Sequence, residues 1–197
     1  MTLQLHTAAG TLPVSLVEAK LHLRVDGSDE DALITSLIGA AVLDAEQLMG
    51  RALMPQKWLL SLDAFPGSVC VPGQTIDLLR PPITAVDYIK YVSADDGTLT
   101  TLSPSVYQLA KASDYLARVA LAYGQSWPSA RSQLEAVQVL FSCGYADAAS
   151  VPELIKAWIK LRVGSLFAHR EQWTAGEKIE RNEHVDYMLD RYRTWLL

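Results

Sequence analysis

Between Ser28 and Gly50, the apolar residues Leu33, Ile34, Leu37, Ile38, Ala41, Val42, Ala45, Leu48 and Met49 recur at steps of three and four. That period places them on one face of an α-helix. A helix over 29–49 would run roughly 30 Å, and its apolar face is unstable in water until something of similar length covers it. Gly50 is placed to end it, since glycine takes the left-handed conformation that closes many helices. The best match in length and period lies beyond Ser150, where Leu154, Ile155, Trp158, Ile159, Leu161, Leu166 and Phe167 follow one another. This second helix is apolar on more than one side, with Lys156, Lys160 and Arg162 as its polar surface. It is expected either sandwiched in a core or facing a partner subunit. The chain must therefore bring together two helices that are remote in sequence.

Shorter helices flank this pair. Ser15 followed by Glu18 reads as a capping box opening a helix over Leu16–Leu23, and Asp26-Gly27-Ser28 breaks it. Ser28 with Asp31, and Ser150 with Glu153, are two further candidate boxes, the latter with Pro152 in the first turn. The helix after Ser150 should end near His169-Arg170, before a polar link containing Gly176. A last helix from near Asn182 would show Val185, Met188, Leu189, Tyr192, Trp195 and Leu196 on one face.

Between the helices the pattern changes. Candidate strands are Trp58–Phe65, Thr75–Leu79, Ala85–Val92, Thr98–Leu102, Val106–Lys111, Leu116–Tyr123 and Ala136–Cys143. Asp96-Gly97 is a hairpin turn signal, while Pro81-Pro82 and Trp127-Pro128 mark stiff connections. The expected fold class is α+β, a mainly helical core with an inserted antiparallel β-rich subdomain resembling a small sheet or partial barrel. Its parts would be residues 1–55 as N-terminal helices, 56–145 as the β-rich insertion and 146–197 as C-terminal helices.

Composition removes several function classes. A net charge of −5 gives no basic footprint for nucleic acid. Residues 1–55 hold three basic against seven acidic residues, so most of the excess lies there, clustered at Asp26, Asp29, Glu30 and Asp31. At a helix start, such a cluster reads first as a complement to the helix dipole. Cys70 and Cys143 fit no metal-ligand spacing and are read as reduced thiols. The opening MTLQLHTAAG lacks the pattern of a signal peptide, and no run of 18 uncharged apolar residues suggests a membrane span.

Motifs for chemistry are missing. The sequence contains no G-x-x-x-x-G-K-[ST], no G-x-S-x-G and no H-E-x-x-H. No two of His6, His22, His169 and His184 are spaced as a local zinc pair. His169 with Glu171, and His184 with Glu183 and Asp186, could in principle bind metal or move protons, but surface and capping roles suit a charged link and a helix start better. Trp58, Trp127, Trp158, Trp173 and Trp195, with Tyr88, Tyr91, Tyr107 and Tyr123, read as packing first and as assembly anchors second. The expectation is no catalytic residue, no cofactor and no metal.

Several segments together resemble a known family. VSLVEAKLHLRVDGSDEDALITSLIGAA at Val14–Ala41 resembles the N-terminal helices of tailed-phage head–tail connector proteins. GRALMPQKWLLSLDAFPG at Gly50–Gly67, LRPPITAV at Leu79–Val86, AYGQSWPSAR at Ala122–Arg131 and GYADAASVPELIKAWIKLRVGSLFAHRE at Gly144–Glu171 continue the resemblance in order. It implies a connector (adaptor) of the branch with a β-rich insertion between the second and third helices. It further implies a non-enzymatic subunit, monomeric in isolation or assembled into a ring, usually dodecameric, below the portal. Such a ring extends the DNA channel with only non-specific proximity to duplex DNA, and docks neck and tail proteins. The implied location is the head–tail junction of a virion, after a stay in host cytoplasm, with no membrane partner. Another neck or tail-completion protein is the alternative. An enzyme or sugar-binding module would instead need a concave polar pocket in the β segment.

Overall fold

The computed structural model describes residues 1–67, 75–169 and 183–194. Its elements in chain order are β1 (Thr2–Thr7), α1 (Leu16–Leu23), α2 (Asp31–Met49), β2 (Gln56–Leu62), β3 (Ile76–Leu78), β4 (Ile83–Val92), β5 (Leu99–Thr101), β6 (Tyr107–Ser113), β7 (Leu116–Leu121), β8 (Val137–Cys143), α3 (Glu153–Ala168) and α4 (Glu183–Asp190). They form two compact units. Met1–Gly10 and Pro55–Gly144 make a sheet unit, and Thr11–Met54 and Tyr145–Leu197 make a helical unit.

In the helical unit, α1 starts as its sequence dictates. The Ser15 hydroxyl accepts from the Glu18 N–H (3.2 Å), and the Glu18 carboxylate accepts from the Ser15 N–H (2.8 Å). The candidate box at Ser28 does not form. Glu30 is the N-cap of α2 and makes no side-chain capping bond. The Asp31 carboxylate instead accepts from Lys20 Nζ at 2.6 Å, tying α2 to α1. The box at Ser150 is absent too, because both the hydroxyl and the N–H of Ser150 donate to Asp147 Oδ1 (2.7 Å each) in the turn before α3. Pro152 is the N-cap there.

The core of this unit is where the periodicity placed it. Ile34, Ile38, Ala41, Ala45 and Met49 of α2 are buried with Ile155, Trp158, Ile159 and Val163 of α3. Val14, Leu53 and, from α4, Leu189 complete the interior. α2 is long and apolar enough, by length and composition alone, to cross a membrane. Here its apolar face lines this core, its Asp44 pairs with Arg162 of α3 (2.8 Å), and its Glu46 is buried. At the far end of α2, Gly50 adopts φ 67°. Both the N–H and the hydroxyl of Thr194 donate to the Met49 carbonyl (2.9 Å each), supplying donors that the last turn of α2 lacks. Trp195 and Leu196, expected on the α4 face, lie outside the described residues.

The sheet unit holds a five-stranded antiparallel sheet, order β1-β2-β8-β4-β5, and a three-stranded one, order β3-β7-β6. Leu60, Ile89, Val139 and Phe141 are fully buried, and the register places them on one face of the larger sheet. The β4–β5 hairpin turns at Gly97, φ 73°, as the Asp96-Gly97 signal required. Pro81-Pro82 is joined by a cis peptide. β1 pairs with β2 along Thr2↔Ser61 to Leu5↔Trp58. This corrects the sequence expectation, which gave residues 1–55 to the helices. Thr2–Thr7 is only six residues with two leucines, too little apolar patterning to stand out from a terminal tail.

Candidate assembly surface

Among the described residues, those singled out for chemistry do not converge, and the side chains of Glu183, His184 and Asp186 lie outside the described ones. His6 Nδ1 lies 3.0 Å from its neighbour Thr7 Oγ1 on an exposed strand. His22 and His169 are exposed in the helical unit, while Glu171 lies outside the described residues. Among the described residues, no group of three histidine, cysteine, aspartate or glutamate side chains could hold a metal ion. Cys143 is buried, with its thiol 3.6 Å from the Gln56 carbonyl oxygen, and Cys70 lies outside the described residues.

The aromatic residues go largely into packing. Trp158 is buried in the helical core. Trp127 stacks on Phe65 with centroids 4.8 Å apart and planes 9° from parallel, and Tyr91 meets the same Phe65 at 5.7 Å. Trp58 carries the Arg80 guanidinium over its ring at 5.1 Å. Trp173 and Trp195 lie outside the described residues. Tyr123 differs, standing fully exposed on the long loop after β7.

What the surface offers instead is apolar side chains and strand edges. On α1, Val17 and Leu21 are 75% and 81% exposed, one helical turn apart. Leu43 of α2 and Leu134 of the loop before β8 are similarly open. α3, expected to present a wide apolar face, gives most of it to the core and keeps Leu161 partly outside. In the larger sheet the outer strands are β1 and β5, both mostly exposed. Apolar residues exposed singly are ordinary on protein surfaces, so of these the paired Val17 and Leu21 and the open strand edges are the features that could serve contact.

Charge at the surface is locally paired. The Ser15 hydroxyl and N–H hold the Glu18 carboxyl below the usual glutamate range, helped by Lys156 and Lys160. Asp147 is lowered in the same way by the Ser150 hydroxyl and N–H. Asp31 of the acidic cluster is paired with Lys20, whereas Asp26 and Asp29 face solvent. Two buried polar side chains escaped the sequence reading. Buried Glu46 accepts from the Leu53 N–H (2.7 Å), and buried Arg51 donates to the Tyr145 hydroxyl (3.1 Å). They fix the chain where it leaves the helical unit and where it returns. A carboxylate among the apolar steps of α2 was the available signal.

Comparison with known proteins agrees with a structural surface. Residues 13–91 match the family described as phage gp6-like head-tail connector protein. The family likeness lies in this segment, 79 of the 197 residues. The match spans α1, α2 and the chain into β4. No curated protein sequence matches. Among solved structures, a chain in the neck of an empty gene transfer agent (GTA) particle, computed with C6 symmetry, is similar at TM-score 0.80 and 22% identity. All of this chain and 97% of that chain are covered. Chains from the virion of a native GTA particle and from a native neck computed with C12 symmetry are similar at TM-scores of 0.78 and 0.77, with the same identity and coverage. At this identity the likeness is one of fold, and it extends over both units of the chain.

Proposed function

We propose that the chain is a structural subunit of a head–tail connector, assembling into a ring below the portal, extending the DNA channel and presenting a docking face to neck or tail proteins. The match of residues 13–91 to the connector family carries this reading. The fold likeness to neck chains extends it to the rest of the molecule. A ring of twelve is the expected size, in keeping with the twelvefold symmetry used for one of those necks. A subunit of net charge −5 suits a conduit through which DNA must slide, because it makes few tight phosphate contacts. No catalytic step belongs to this role. The subunit would pass through host cytoplasm before joining the head–tail junction.

The test is electron microscopy of the purified protein alone and mixed with its cognate portal. Rings seated on the portal are the expected result. A protein that stays monomeric at high concentration and ignores the portal overturns the reading. Binding elsewhere in the neck would make it a tail-completion protein instead.

A further inference from the structure

We propose that the five-stranded sheet continues from each copy of this chain into the next, with β1 of one copy pairing alongside the β5 edge of its neighbour. This rests on the ring reading above and names the contact that closes it. Every neighbouring pair in the order β1-β2-β8-β4-β5 is antiparallel. Four reversals leave β1 and β5 running in the same direction. A copy related by rotation about a ring axis can therefore set its β5 beside β1 in parallel register, and the sheet continues. A twofold-related copy would bring β1 against β1, antiparallel, and assembly would stop at two.

The two edges are also chemically open. β1 reads TLQLHT, with no proline and no acidic, lysine or arginine side chain. The β5 edge is extended over Thr98–Leu102, where the Thr98 carbonyl accepts from Ser93 N–H (2.9 Å) and the Leu102 N–H donates to the Ile89 carbonyl (2.8 Å). It too carries no charge. The smaller sheet is different, for its edges bear Asp77 on β3 and Lys111 on β6. Soluble proteins guard sheet edges with charge, proline or cover, because an unguarded edge is a template for another strand. Here the guarded edges belong to the small sheet, and the unguarded ones are the two non-identical ends of the large sheet. Leu5 and Leu99 are 44% and 54% exposed on these edges. Two different uncharged edges of the same direction are what a head-to-tail contact between copies requires.

The experiment is disulfide trapping in the full-length chain. Gln4 and Thr101 are both exposed, and the register puts them on the same face of the sheet. Within one molecule they are separated by four strand spacings, roughly 19 Å, beyond reach of a disulfide. Across the proposed contact, paired strands would bring them within about 5–6 Å. The variants Gln4→Cys/Thr101→Cys and, for the adjacent register, Thr2→Cys/Thr101→Cys are oxidised mildly at ring-forming concentration. At least one should give a ladder of covalent multimers rising past the dimer to the closed ring, while the single variants and the unmodified chain give none. A dimer from Gln4→Cys alone shows twofold β1 pairing and overturns the proposal. No ladder from either double variant, in samples where microscopy shows rings, overturns it while leaving the connector reading intact. Neither ladder nor rings, with or without portal, removes both.

Discussion

At the scale of single residues, two chain ends of helices hold testable stability. Ser15 closes the capping box of α1, so Ser15→Ala should cost about 1 kcal/mol in urea denaturation. The same bond carries a pH dependence. Glu18 has a lowered pKa in the folded chain, so its contribution is present above the ordinary glutamate value of about 4.3 and is lost as pH falls through the lowered value. The stability difference between wild type and Ser15→Ala should therefore shrink on acidification below that value, and a difference that grows would contradict the assignment. Gly50 is the second case. A Cβ there would lie 2.5 Å from Thr194 Oγ1, on a backbone with φ 67°. Gly50→Ala should lose about 1–2 kcal/mol from the left-handed backbone alone, plus the clash. Measured against Thr194→Ala, which removes both the clashing hydroxyl and its bond to the Met49 carbonyl, Gly50→Ala should cost only the backbone component.

At the scale of elements, the α2–α3 pair bears the stability of the helical unit. Ile159 is fully buried there, so Ile159→Ala should cost about 2–5 kcal/mol by calorimetry or denaturant titration. Arg162 pairs with Asp44 on the same two helices, but both side chains are over two-fifths exposed, and Asp44→Asn should cost less than about 1 kcal/mol. The contrast shows what was legible beforehand. The steps of three and four in 29–49 and 151–169 report burial directly, and both helices form where that pattern lies. Capping was legible only where nothing competed: Ser15 has no rival partner, whereas Ser150 turns to Asp147, and at α2 the expected acid, Asp31, turns to Lys20. β1 escaped notice because an edge strand with solvent on both faces needs no apolar alternation, and pairing with β2 is a long-range event. The candidate surface was hardest to read. Val17 and Leu21 look like core positions in a sequence, and only the packing of Ala19 inward shows that they face out.

At the scale of the whole molecule, each unit has its own buried interior. Ile159→Ala should therefore speed amide hydrogen exchange through α2 and α3 and leave the amides of β8, such as Val139 and Phe141, as protected as in the wild type. Equal acceleration in both units would mean that they unfold as one. The division of the chain between these units has a consequence for its synthesis. The helical unit takes its first part from Thr11–Met54 and its second from beyond Gly144. On the ribosome, α2 emerges long before α3, and it must wait with its apolar face uncovered until the intervening sheet strands have been made. At about 5–20 residues per second, that wait lasts on the order of several seconds to tens of seconds. The strands β1 to β8, by contrast, are all available once Cys143 is out. The sheet unit should be the first to become native during translation, and α2 the segment most dependent on chaperones until α3 has emerged.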